Sequence, residues 1–361
     1  LAQAILVQAA RAWIVFRLRI FRRRAPGALH SMGLGFVPLA FAATYIGAAW
    51  SATCPGEIDV AGYGPVSLVP TGWAETESMG GGGEVEVLRR SDFVAHMSSR
   101  TYFGDECTAG NYSNEQYSAM KLLGKAMRFT VDVSGAGCGC NAAFYLTSLR
   151  QNAEPSKCSD YYCDANSVCG VACAEIDIME ANKYAWHSTL HSASDGNGVG
   201  AGYGGGGTGW NGPRDWTAAQ YSPSSPCVDT LAPFEVEVSF PVDAGGSLKA
   251  MEVRLSQRGR DCPISLNLDR YPGMAELSEA LGHGMTPIIS YWKSDDMRWL
   301  DGGGADMKGP CQADTPCSDS ARFSNFSVRS INGQGTSEPA PAGPEAKSGR
   351  ASGDGGASAP S

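Results

Sequence analysis

Between residues 54 and 331 one unit recurs along the chain: a short run that alternates apolar and polar residues, followed by Gly, Pro, Asn or Ser. Such runs lie at residues 84–88, 127–133, 142–149, 234–240, 248–255, 287–291 and 322–329. Period-two alternation sends successive side chains to opposite faces of a strand, and the turn residues between the runs end each strand. Helical periodicity occurs only at residues 274–281. The economical solution is an all-β sandwich of two large antiparallel sheets, with one face packing the core and a broad concave face left for a ligand. Of 361 residues, 43% are hydrophobic and only 18% charged, with 46 Gly and 20 Pro, which fits a loop-rich β domain around one large core.

The two ends read differently. Residues 17–24 are rich in arginine, and residues 32–49 form an apolar run ending in Gly47-Ala48-Ala49, the layout of a secretory signal peptide, with a membrane anchor as the alternative. Residues 1–53 are therefore expected to be a leader or anchor with upstream sequence, residues 54–331 the folded domain, and the Gly/Ala/Pro/Ser-rich residues 332–361 a disordered tail or linker. The formal net charge of −9 arises despite six arginines in the first 24 residues, so nucleic acid is not an expected partner.

Twelve cysteines spread from Cys54 to Cys317 point to disulfides and an oxidising compartment. Cys138-Gly-Cys140 and the pair His187 and His191 look ligand-like, but neither a CxxC pair nor an HExxH helix accompanies them, so no metal and no other cofactor is expected. The sequons at Asn111 and Asn325 agree with secretion. Residues 196–209 contain a GxGxxG match without the strand-to-helix context that a phosphate cradle needs, and read as a mobile loop.

The chemistry concentrates in Glu175-Ile176-Asp177-Ile178-Met179-Glu180. On a strand Glu175 and Asp177 share one face, while Ile176 and Ile178 point to the core. Glu180, five positions after Glu175, would by parity point to the core, where an unpaired carboxylate is costly; a bulge near Met179 is therefore expected to return it to the first face. Two carboxyls roughly 5 Å apart on one face suit retaining glycoside hydrolysis, with Asp177 between them spreading their pKa values. The rival reading of the acidic run is a strand edge or a calcium site.

Several segments in order resemble glycoside hydrolase family 7, the cellobiohydrolases and endoglucanases that cut cellulose. The likeness runs from about Lys121 to Ile331. It is carried by residues 122–133 with Cys138-Gly-Cys-Asn141-Ala-Ala-Phe-Tyr145, by Tyr162-Cys163-Asp164, by Glu175-Ile-Asp-Ile-Met-Glu180-Ala-Asn182, and by Trp210-Asn-Gly-Pro-Arg214. Gly284-Met285, Ser290-Tyr-Trp292, Trp299-Leu-Asp301 and Arg322-Phe-Ser-Asn-Phe326 follow.

The resemblance implies a concanavalin-like jelly-roll, hydrolysis of β-1,4-glucosidic bonds, Glu175 as nucleophile, Asp177 as its partner and Glu180 as acid/base. His191 would stand beside them. Trp292 and Trp299 would stack on sugar rings, and Arg214, Asn141, Tyr145, Tyr162 and Asp164 would hydrogen-bond hydroxyls. It also implies the bridges Cys138 to Cys311, Cys163 to Cys173 and Cys227 to Cys262. The partner would be a polysaccharide, with no protein partner implied and the chain a monomer.

Compared with the family, the stretch before Glu175 is short, the spacing from Trp292 to Trp299 is tight, Met179 replaces a tryptophan, and the N-terminal strands have no recognisable counterpart. Shortened loops favour an open groove and endo-acting cleavage. The rivals are a family 16-like β-1,3(4)-glucanase (laminarinase), whose motif Glu-Ile-Asp-Ile-Met-Glu also fits, and a non-catalytic carbohydrate-binding protein on the same fold.

Overall fold

The computed structural model describes residues 53–71, 83–202, 207–208, 216–302, 311, 317–318 and 320–331. The expected leader, the expected tail and Arg214 lie outside the described residues. In chain order the strands begin with β1 (Gly56–Val60), β2 (Gly64–Pro70), β3 (Val85–Arg89), β4 (Asp92–His96), β5 (Ser99–Gly104) and β6 (Lys125–Asp132). Then come β7 (Cys140–Thr147), β8 (Glu175–Ala181), β9 (Trp186–His191), β10 (Val199–Ala201), β11 (Gly207–Thr208), β12 (Tyr221–Ser222) and β13 (Val228–Asp229). The chain closes with β14 (Phe234–Ser239), β15 (Met251–Ser256), β16 (Ile264–Leu268), helix α1 (Met274–His283), β17 (Thr286–Lys293), the short helix α2 (Arg298–Asp301) and β18 (Ser320–Ser330).

One sheet has nine strands in the order β1-β2-β5-β17-β7-β8-β9-β10-β11, and the other has seven in the order β16-β15-β14-β6-β18-β4-β3. All their pairings are antiparallel. Alternation decides which face of each is buried. On β7, Ala142, Phe144 and Leu146 enter the main core, and Asn141, Tyr145 and Thr147 take the opposite, outer face. Phe144 meets Phe129 of β6 edge-on at 4.7 Å between ring centres, which joins the two sheets. On β18 one extra residue between Ser324 and Ser327 keeps both Phe323 and Phe326 in that core.

The expected all-β sandwich is present, and each expected run contains or overlaps a strand. The N-terminal strands are also present, which corrects the expectation that they have no counterpart. Their signal was weak because β5 is buried at all six positions and β2 at four in succession, so neither alternates. Part of the glycine-rich segment is likewise not a loop: residues 199–201 pair with β9.

All twelve cysteines are bridged. The three implied pairs are formed, together with Cys54–Cys107, Cys140–Cys317 and Cys158–Cys169. Among the described residues no helix is long and apolar enough to cross a membrane.

Candidate active site

The pairing of β8 with its neighbours carries the site. Tyr145 faces Asp177 and Phe144 faces Met179, so β8 holds one residue more than β7 across this step; the same shift occurs against β9, between Asp177 and Glu180. Ile176, Ile178 and Met179 all lie in the core, and the extra residue returns Glu180 to the outer face, opposite Ala143 and His187. The bulge expected from parity is therefore there, at Ile178–Met179. Glu175, Asp177 and Glu180 share one face, with His187, Thr189 and His191 of β9 beside them.

Each acidic group is held. Glu175 accepts the Ala165 N–H at Oε2 (3.1 Å), and Glu180 accepts the Asn141 Nδ2–H (3.0 Å). Asn141 is fully buried, and its Oδ1 accepts the Ala181 N–H (3.1 Å), so both its polar atoms are committed to β8. His191 Nε2 lies 3.0 Å from Asp177 Oδ2, and its Nδ1 lies 2.7 Å from the Asp195 carbonyl. A carbonyl only accepts, so Nδ1 carries a proton and one further proton is shared between Nε2 and Asp177.

Burial raises the Glu180 carboxyl to about 8, Asp177 adds to the rise, and the Asn141 hydrogen bond and His191 oppose it. Burial, with Asp177, Asp164 and Glu180 nearby, also pushes Glu175 well up against the Ala165 hydrogen bond. Burial alone would lower His191, but the hydrogen bond and charge of Asp177 and the Asp195 carbonyl raise it. With Glu180 raised to about 8, the site does not hold three full negative charges at neutral pH.

The loop before β8, pinned by Cys158–Cys169 and Cys163–Cys173, brings Tyr162 and Asp164 to the same face, where both are buried. The Tyr145 and Tyr162 hydroxyls are 3.2 Å apart, and Asp164 accepts the Val168 N–H (3.0 Å). Trp292 of β17 pairs with Asn141 and is partly exposed. Trp299 of α2 is partly exposed too and meets His187 edge-on at 6.3 Å. All the expected site residues except Arg214, which is not described, therefore lie on or beside one sheet face.

The family model described as Glycosyl hydrolase family 7 matches residues 81–167. Endoglucanase EG-1 of Hypocrea jecorina is 30% identical over 238 residues, 56% of this chain and 50% of that protein. Endo-beta-1,4-glucanase celB of Emericella nidulans is 30% identical over 285 residues, 61% of this chain and 65% of that protein. The Humicola insolens endocellulase EGI structure superposes with a TM-score of 0.55 at 19% identity, over 78% of this chain and 98% of that one. The chain is thus similar to glycosyl hydrolase family 7 in sequence over part of its length, and to the solved endocellulase in fold. It spans about half the length of the Hypocrea relative and 65% of the Emericella one. The family match begins at residue 81, earlier than the expected onset at Lys121.

Two features of this site escaped the sequence. Arg100 of β5, upstream of the expected onset of the resemblance at Lys121, is 3% exposed, with its guanidinium carbon 3.8 Å from the Tyr162 ring centre and a nitrogen 3.7 Å from Asp160. Asp160 also accepts the Tyr102 hydroxyl (2.7 Å), and its carbonyl accepts the Tyr117 hydroxyl (2.7 Å), so these three residues clamp the disulfide loop onto the sheet. The only available signal was Arg100 and Tyr102 two apart on one strand face. The second feature is a pin at the end of β8: Asp301 accepts Gly139 N–H and Asn182 Nδ2–H, both at 2.8 Å, which ties the turn after Glu180 to the helix bearing Trp299.

As to metal, Glu175, Asp177 and His191 bring donor atoms within 4.8 Å of one another, but these are the groups already engaged in the cluster. A second grouping, Cys138, Asp301 and Cys311, offers no thiolate because its cysteines are bridged.

Proposed function

We propose that the outer face of the nine-stranded sheet hydrolyses β-1,4-glucosidic bonds in cellulose or related β-glucans with retention, probing chains internally, outside the cell and as a monomer. Glu175, with Oε2 tied to Ala165 N–H, attacks the anomeric carbon through Oε1 as the bond to the leaving oxygen breaks. Glu180, protonated at neutral pH by its raised pKa of about 8, gives its proton to that oxygen. As a carboxylate it then takes a proton from the water that releases the sugar from Glu175. The neutral Asp177–His191 pair keeps the surroundings of Glu175 from gaining a further charge.

Trp292 and Trp299 offer partly exposed rings for stacking. Tyr145, Tyr162 and Asp164 line one side, Asn141 orients Glu180, and Arg214 is assigned to hydroxyl binding on the family resemblance alone. Six disulfides support a secreted protein. The names of the two curated relatives support endo-action on β-1,4-glucan.

The observation that carries the reading is the bulge at Ile178–Met179, which returns Glu180 to the face of Glu175. The test is release of reducing ends from carboxymethyl cellulose and from laminarin, with Glu175→Gln as control. Activity on the cellulose derivative that the variant abolishes is expected. Activity on laminarin alone would transfer the chain to β-1,3-glucan, and cellulose binding without hydrolysis would make it a carbohydrate-binding protein.

A further inference from the structure

The ring of His191 is fixed from outside the carboxylate cluster. Residues 192–198 turn back beneath it through two left-handed positions, Ser194 (φ 63°) and Gly198 (φ 51°). A Cβ on Gly198 would stand 2.5 Å from His191 Nδ1, so the loop is in direct contact with the imidazole. Both arms of this loop converge on one phenol. Tyr271 donates its O–H to Asp195 Oδ2 (2.6 Å) and accepts the Ser192 N–H (2.5 Å). Asp195 Oδ1 in turn accepts the Gly198 N–H (3.1 Å), and Asp195 N–H donates to the Ser192 carbonyl (3.1 Å). What remains of Asp195 is its carbonyl, aimed at His191 Nδ1. Tyr271 itself is 5% exposed, seated in the main core between β16 and α1, and so is a rigid anchor for the loop.

We infer that Tyr271 is a positioning residue for His191, acting through Asp195 to fix which ring nitrogen faces Asp177. The inference rests on the proposed role of the carboxylate cluster as the reacting centre. With the Asp195 carbonyl in place Nδ1–H is obligatory, and the Asp177–His191 contact holds one more proton, so the pair is neutral as a whole. Without the phenol, Asp195 keeps only its bonds within the loop, and Ser194, a non-glycine residue held left-handed at φ 63°, favours unwinding. The imidazole then adopts the Nε2–H tautomer, and the pair becomes a neutral ring beside a charged Asp177. That adds one negative charge next to Glu175 and Glu180. The charged groups facing the ring are Asp177 and Glu180 of β8, its cross-strand neighbour Glu175, and Asp195; Glu276 binds Ala193 N–H at the outer edge of the loop.

The experiment compares wild type with Tyr271→Phe by ring nitrogen-15 NMR of His191, assigned with His191→Asn, and by kcat and KM on an aryl β-cellobioside. The expected result is a protonated Nδ1 in wild type, an Nε2–H tautomer in a folded Tyr271→Phe, and a kcat reduced about tenfold with KM within about twofold. A folded variant with the wild-type nitrogen pattern and wild-type kcat overturns the inference. If the phenol proves necessary for folding, Asp195→Ala cuts the same chain of bonds without touching the buried ring and is judged by the same two readouts. A tautomer shift in a chain that cleaves no glucan supports the positioning role and overturns the hydrolytic reading; hydrolysis with no tautomer shift does the opposite.

Discussion

Replacing Glu180 with Gln tests the electrostatics of the site without reference to any substrate. Gln keeps the shape and still accepts the Asn141 N–H, but it cannot ionise. Glu180 is raised from an ordinary 4.5 to about 8, chiefly by burial and then by Asp177. A carboxyl whose folded pKa lies above its unfolded one binds more protons in the folded state between those two values, so stability falls as pH rises from about 4.5 to 8. The full gap corresponds to about 5 kcal/mol, and because Glu180 is partly open to solvent we expect roughly half of that.

Glu180→Gln therefore matches wild type at pH 4.5 and is more stable by about 2–3 kcal/mol at pH 8.5, which is a rise of roughly 5 °C in Tm for a domain of this size. The assay is thermal melting of both proteins at fixed scan rate across that pH range, with disulfides intact. A difference in Tm that does not change with pH, or a variant less stable than wild type at pH 8.5, would show that Glu180 is not a desolvated acid. Activity should fall about 10²–10⁴-fold at every pH, the usual contribution of a proton-transfer residue.

Four further variants probe the surroundings. Glu175→Ala should stop turnover of an aryl β-cellobioside, and azide should restore it with an α-linked product, as when a small anion replaces a lost nucleophile; a β-linked azide would assign the nucleophile elsewhere. Gly198→Ala forces a Cβ to within 2.5 Å of His191 Nδ1 at φ 51°, and should cost about 1–3 kcal/mol in denaturant unfolding and most of the activity. Gly246→Ala, also left-handed at φ 83° but with open space around the new Cβ, should cost about 1 kcal/mol and leave activity unchanged. Joint replacement of Cys163 and Cys173 by Ala opens a loop of sequence separation 10 and should cost about 2–3 kcal/mol. It should also lower kcat, because Asp164 and the Ala165 N–H that holds Glu175 ride on that loop; a fall in stability with unchanged kcat would mean the loop does not set the nucleophile.

The central site was legible because parity made a definite demand. Glu175, Asp177 and Glu180 fit one face only with an extra residue, and Ile178–Met179 supplies it in both pairings of β8. Sheet strands such as β6, β14 and β18 were legible for the same reason, since their alternation reports one buried face. β2 and β5 were not, because strands covered on both faces lose that period. Arg100 could not be found because its partners, Asp160 and Tyr162, lie about sixty residues away in a loop whose path no local pattern predicts. The glycines at 198 and 200 were read as freedom when they are close approaches: a Cβ on Gly200 would stand 2.6 Å from His187 Nε2. Composition does not distinguish a glycine that bends from one that makes room.

The most direct measurement is proton NMR of the first product formed from a soluble cello-oligosaccharide, taken before the anomers equilibrate. Attack by Glu175 followed by water from the face that Glu180 serves gives the β-anomer first, with the α-anomer growing in only by mutarotation. Initial formation of the α-anomer would mean that a water, and not Glu175, attacks the sugar, and the pairing of the two carboxylates described here would be wrong.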